Sequence, residues 1–119
     1  MDYIKSTMIT VVELPEFIRR SKKMLNEKER ENIIAYLASH PASGVIIQGT
    51  GGIRKLRWKR EGSGKSGGVR IIYYYHNESY PVFLLTLFGK SEKANLSKAQ
   101  RNKLAQLVQI LIRSYSRPL

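Results

Sequence analysis

Apolar and polar positions follow three rhythms along this chain, and each predicts a different element. Met8-Ile9-Thr10-Val11-Val12 is short, apolar and β-branched, which predicts a strand. Pro15 suits the first turn of a helix, where its missing N–H costs nothing. Phe17, Ile18, Met24 and Leu25 supply an apolar stripe for a helix over Pro15–Met24. Asn26 with Glu29 forms a capping-box signature. In the second helix that follows, Ile33, Ile34 and Leu37 recur at helical spacing until His40-Pro41 ends it. Residues 42–52 contain Ser43-Gly44 and Gly49-Thr50-Gly51-Gly52 and are expected to be turns.

From Ile53 the period changes to two. Arg54, Leu56, Trp58 and Arg60 point one way along Ile53–Arg60, and Ile53, Lys55, Arg57 and Lys59 the other. Leu56 and Trp58 require a core, so the three cations Lys55, Arg57 and Lys59 belong to the opposite face. Glu61–Gly68 is glycine-rich and polar, a hairpin loop carrying Lys65. Val69–Tyr75 and Val82–Phe88 read as two further strands, turned through Asn77, Glu78 and Ser79. Ser97 with Gln100 makes another capping box, and Leu104, Leu107, Val108, Leu111 and Ile112 mark an amphipathic helix. The predicted order is β-α-α-β-β-β-α in one domain over residues 1–119, with 1–7 an N-terminal extension and 114–119 frayed. The expected fold class is α+β: a small antiparallel sheet, two N-terminal helices on one face and a C-terminal helix. If Val69, Ile71, Tyr73 and Tyr75 pack on the two helices, Arg70 shares the other face with Lys55 and Arg57.

Charge sharpens that picture. Residues 1–48 carry seven bases and six acids, residues 49–93 nine and three, and residues 94–119 five and none. A basic half joined to a nearly neutral half suggests a cationic face for a polyanion, with nucleic acid the leading candidate. The chain has no cysteine, which excludes disulfides and thiolate chemistry and makes a reducing cytoplasm the expected location. No signal-peptide pattern opens it. The longest apolar run, Val82–Phe88, is far short of the roughly 20 residues a membrane span needs, so no membrane partner is expected.

The candidate motifs reduce to a few. Gly62-Ser63-Gly64-Lys65-Ser66 resembles part of a phosphate-binding loop, but position 59 is lysine rather than glycine and a strand, not a helix, follows. The better reading of Lys65 is a basic loop that touches a nucleic-acid backbone. Two histidines, His40 and His76, are too few for a metal site, and neither metal nor cofactor is expected. His40 belongs to a helix end; His76, just past a strand, is a lesser candidate for assisting catalysis. Tyr74, on the Arg70 face, is a candidate for stacking on a base. RNA carries its own nucleophile in the 2′-OH, so a protein can cleave it by aligning that oxygen with the scissile phosphate and stabilising developing charge with cations. Lys55, Arg57 and Arg70, with Lys90 and Lys93 beyond the last strand, provide such cations; a conventional acid–base pair is not visible.

Three blocks carry a family resemblance: Gln48-Gly49-Thr50-Gly51-Gly52-Ile53-Arg54-Lys55-Leu56-Arg57, then Gly64-Lys65-Ser66-Gly67-Gly68-Val69-Arg70-Ile71-Ile72-Tyr73-Tyr74, then Leu84-Leu85-Thr86-Leu87-Phe88-Gly89-Lys90 continuing to Ser97. Together they resemble the RelE/HigB superfamily of mRNA-cleaving toxins, most of all its HigB-like branch. The resemblance implies a microbial-RNase-like sheet, ribosome-dependent cleavage of mRNA, and neutralisation by a cognate antitoxin of helix-turn-helix type. It implies catalytic roles for Lys55, Arg57 and Arg70, with Lys90 or Lys93 as the cation after the last strand. Lys59, Arg60, Lys65 and Tyr74 are the expected contacts to RNA or the ribosome. Some members place a tyrosine some residues after the Gly-Lys pair, near the position of Ser97 here, which leaves that role unassigned and Tyr74 as a substitute. Two other readings stay open: a non-catalytic nucleic-acid-binding regulator, and a ParE-like toxin acting on DNA gyrase.

Overall fold

The computed structural model describes residues 8–59, 68–90, 92 and 95–116. The elements run β1 (Val11–Glu13), α1 (Pro15–Met24), α2 (Glu27–Ser39), β2 (Val45–Ile46), β3 (Ile53–Lys59), β4 (Gly68–Tyr74), β5 (Val82–Gly89) and α3 (Lys98–Ser116). The five strands form one sheet in the order β1-β5-β4-β3-β2. Its class is α+β, but the sheet is mixed rather than wholly antiparallel. β1 pairs with β5 in parallel, Val11 beside Val82 and Glu13 beside Leu84. That parallel pairing, with a strand far along the chain, puts β1 at Val11–Glu13, later than the apolar run from Met8 suggests.

The helices start where their caps dictate. Asn26 Oδ1 accepts the Glu29 N–H at 2.7 Å, and the Glu29 carboxylate accepts the Asn26 N–H at 3.0 Å. Pro15 opens α1 as predicted. Arg30 on α2 ties the helix to β1, donating from Nε and Nη2 to the two oxygens of Glu13 at 2.8 and 2.6 Å. Ser97 and Gln100 exchange both capping bonds ahead of α3. α3 continues through Ser116, so residues 114–116 are helix rather than frayed; 117–119, like the 1–7 extension and most of the Glu61–Gly68 loop, lie outside the described residues.

The turn region 42–52 contains an unpredicted two-residue strand. β2 pairs Val45 with Lys55 and Ile46 with Arg54 at the sheet edge, with both side chains exposed. Gly49, Gly51 and Gly52 then adopt positive φ angles of 78°, 76° and 114°, a region closed to most residues with a Cβ. Between them the buried Thr50 hydroxyl donates to Ile47 O at 2.6 Å and accepts the Ile53 N–H at 3.0 Å, which launches β3.

Both sheet faces are apolar, and this departs from expectation. One face packs on α1 and α2 through Phe17, Ile33, Leu37, Val69, Ile71, Tyr73, Val82, Leu84 and Leu87. Ile18, assigned to the stripe of α1, is instead exposed. The other face was expected to carry the cations, and α3 also crosses it and buries Ile53, Ile72, Tyr74, Phe83, Leu85, Phe88 and Val108 in a second core. β4, at the centre, is therefore buried on both sides. Among the described residues no helix is long and apolar enough to cross a membrane.

Candidate nucleic-acid interface

The strand register arranges the part of the second face that α3 leaves open. Paired residues on adjacent strands point to the same face, so β3, β4 and β5 present successive rows. Lys59, Gly68 and Lys90 form the outermost row, Arg57, Arg70 and Phe88 the next, and Lys55, Ile72 and Thr86 the third. The last row, Ile53, Tyr74 and Phe83, lies in the α3 core. Same-face rows are about 7 Å apart and strands about 4.8 Å, so the five cations occupy a patch roughly 14 Å by 10 Å. Arg57 thus has Lys55 and Lys59 in the rows on either side of it along β3, an alternation that the sequence pattern predicted.

Several local features shape the patch. Gly68 has no side chain between Lys59 and Lys90, and the Arg70 guanidinium occupies that space: a Cβ on Gly68 would stand 3.3 Å from Arg70 Nη1 and 3.8 Å from Lys90 Cβ. Lys55 Nζ donates to Asn95 Oδ1 at 3.3 Å, which ties the cationic strand to the segment entering α3. Asn95 was not singled out from sequence, because only the crossing of that segment over the sheet brings it near. Arg57 and Arg70 are direct cross-strand partners. Like charges directly opposite are destabilising, so this placement weakens the fold locally unless an anion offsets it.

The connection that carries Lys90 is fixed from the other side of the sheet. Arg20 of α1 donates from Nε to Leu87 O at 2.6 Å and from Nη2 to both Glu92 oxygens at 2.7 Å. Glu92 Oε1 also accepts the Gly89 N–H at 2.9 Å. Glu92 is the only acid from Ser79 to the C-terminus, and Arg20 neutralises it beside the patch.

The predicted residues divide clearly. Lys55, Arg57, Lys59, Arg70 and Lys90 come together; Arg60, Lys65 and Lys93 lie outside the described residues. Tyr74 does point to the Arg70 face, but it is only 5% exposed, enclosed under α3, and its hydroxyl meets His76 Nδ1 at 3.0 Å. The stacking role for Tyr74 is therefore corrected: its ring has no open face for a base. Burial pushes its phenol up from 10.0, so it holds its proton at neutral pH. His76 lies six residues beyond Arg70 along an extended segment, about 20 Å away, and does not join the patch. Ser97 caps α3. Arg54 serves the fold on the opposite face, donating from Nη1 to Gly44 O at 2.8 Å. Among the described residues no cluster of three His, Asp or Glu side chains is placed to hold a metal ion.

Among the described residues, the sheet of this α+β protein gathers five cations, Lys55, Arg57, Lys59, Arg70 and Lys90, at one end of one face. Its family is shown by sequence: residues 17–118 match the family model described as the RelE toxin of the RelE / RelB toxin-antitoxin system, and the chain belongs to that family. In three dimensions it is similar to an Escherichia coli toxin RelE double arginine-to-alanine mutant in the free state. The superposition has a TM-score of 0.54 at 18% identity and covers 81% of this chain and 96% of that one. At that identity the likeness concerns the fold.

Proposed function

We propose that this toxin is a metal-independent, ribosome-dependent endoribonuclease of the HigB-like branch, cleaving translated mRNA in the cytoplasm. The observation that carries the reading is the row structure: Arg57 opposite Arg70, flanked by Lys55, Lys59 and Lys90, with no acid in these rows among the described residues. Arg57 and Arg70 hold the scissile phosphate, while Lys55 and Lys90, with Lys93 by its place in the sequence, stabilise charge on the departing oxygen. The RNA 2′-oxygen forms a bond to phosphorus as the bond from phosphorus to the 5′-oxygen breaks. The 2′-OH proton passes to a modest base, and the 5′-oxygen takes a proton from solvent. The products are a 2′,3′-cyclic phosphate and a 5′-OH.

Without a strong base in the patch, alignment of the RNA by the ribosome supplies much of the geometry. Lys59, Arg60 and Lys65 serve docking. The cognate antitoxin, of helix-turn-helix type, supplies an acidic or amphipathic segment that covers the patch or blocks ribosome entry. Single-turnover cleavage against ribosome concentration tests this. Neutralising Arg57 or Arg70 should lower the maximal rate about 100-fold or more, whereas Lys59→Ala should raise the half-saturating ribosome concentration. Equal loss of maximal rate in both groups rejects the division of labour. Equally fast cleavage of free RNA rejects ribosome dependence.

A further inference from the structure

The cationic face does not stop at Lys55. Ile47, Gln48 and Gly49 on one side and Lys98, Arg101 and Asn102 of α3 on the other border an open groove of about 550 Å³. That volume lies within the range of small-molecule sites and admits a nucleotide. The two lining segments are free of acids: none occurs between Glu31 and Glu61, and none after Glu92. The groove is continuous with the patch. Ile47 N–H donates to Ile53 O at 2.8 Å, which sets the Gln48 end two residues, about 7 Å of strand, from Lys55. On the α3 side, Asn95 holds Lys55 and stands three residues before Lys98.

The donors in the groove are uncommitted. Among the described residues, the side chains of Gln48, Lys98 and Asn102 make no hydrogen bond or ion pair, and Arg101 makes one long bond of 3.4 Å to Leu96 O. Two kinds of group face the same space. Lys98 and Arg101 are phosphate ligands by charge and geometry. Gln48 and Asn102 each carry an amide donor and acceptor side by side, the pattern that pairs with the edge of an unstacked base.

We propose that this groove is a nucleotide subsite for the RNA residue next to the scissile phosphate. Lys98 and Arg101 hold its phosphate; Gln48 and Asn102 read its base. Sequence preference in cleavage therefore originates outside the cationic patch. This rests on the endoribonuclease reading, and the experiment separates the two.

Fluorescence anisotropy with labelled 2′-O-methyl RNA dodecamers, which bind but cannot be cleaved, is measured on the full chain across salt concentrations. In parallel, cleavage sites are mapped on ribosome-bound mRNA. Lys98→Ala with Arg101→Ala should lower the salt slope by about 0.7, one phosphate's worth on a single strand, and weaken all sequences alike. Gln48→Ala with Asn102→Ala should leave the slope unchanged and reduce the spread among sequences, in binding and in cleavage, by about fivefold or more. These are surface side chains, and an unchanged Tm in each variant confirms that it folds. If the parent cleaves and both double variants keep its slope and its sequence preference, the groove is not a subsite and the endoribonuclease reading stands. If the parent neither binds RNA at low salt nor cleaves on ribosomes, both fall.

Discussion

Replacing Arg20 with alanine should be among the more costly changes on the surface of this protein. β1 covers β5 only over Val82–Leu84, so the Leu87 carbonyl lies on an open strand edge where Arg20 Nε is its partner at 2.6 Å. A hydrogen bond from a charged donor contributes about 1.5–3 kcal/mol. The Glu92 pair is partly exposed, with side chains 27% and 43% accessible, so screening limits it to about 0.5–1 kcal/mol. Arg20→Ala should therefore cost about 2–4 kcal/mol, and Glu92→Gln about 0.5–1 kcal/mol. At roughly 4 °C per kcal/mol for a domain of this size, Tm should fall by about 8–16 °C and 2–4 °C. Urea unfolding followed by Trp58 fluorescence measures both, and the double variant isolates the coupling. In about 1 M salt the Glu92 component should vanish while the Leu87 component persists. An Arg20→Ala protein within about 0.5 kcal/mol of the parent, the ordinary surface range, would refute the assignment of Arg20 as the clasp of this edge.

Three further outcomes are expected. Gly44→Ala places a Cβ 2.8 Å from the Tyr73 hydroxyl oxygen, 2.9 Å from its ring and 3.0 Å from Lys55 O. Overpacking combined with strain on the Gly44 N–H to Tyr73 bond should cost about 2–4 kcal/mol in urea unfolding. Burial raises the phenols of both Tyr73 and Tyr74 above 10.0, so above pH 10 the unfolded chain sheds protons that the folded chain keeps. Their contribution to stability is full below pH 10 and is lost as pH rises through the folded pKa values. The slope is up to about 1.4 kcal/mol per pH unit for each tyrosine, and Tyr74→Phe should reduce it between pH 10 and 11. Finally, Arg70→Ala should relieve growth arrest when the toxin is induced alone, yet leave Tm equal or higher, because it removes the like charge facing Arg57; a folded, equally toxic variant would reject Arg70 as a site residue.

What was legible in the sequence was local or periodic. Both capping boxes, the Pro15 start and the face shared by Lys55, Arg57 and Arg70 follow from spacing within one segment. The misses required knowing what another segment does. β2 is only Val45 and Ile46, both exposed, a run too short to mark a strand among turn residues; it pairs because Lys55 and Arg54 offer it a ladder. Alternation placed Tyr74 correctly beside Arg70, but whether that face meets water depends on where α3 lands, far later in the chain. Asn95 and Arg20 were overlooked for the same reason, since each acts across a distance in sequence that no local pattern records.

The irregularity in β5 has a consequence for inheritance and engineering alike. Opposite Ile72 and Tyr73 the ladder skips from Thr86 to Leu84, leaving Leu85 as an extra residue. Before it the α3 face takes odd positions, Phe83 and Leu85; after it, even ones, Phe88 and then Lys90. The strand thus carries a parity change, and Lys90 reaches the cationic side only because one residue is counted twice. A single-codon deletion of Leu85 would close the bulge and restore plain alternation, with Phe88 and Lys90 on the faces they hold now; a residue inserted beyond the bulge, with the bulge kept, would send Lys90 to the α1 side. Sidedness beyond this point is set by how many residues the strand holds, and Leu85 is the one that the ladder does not need.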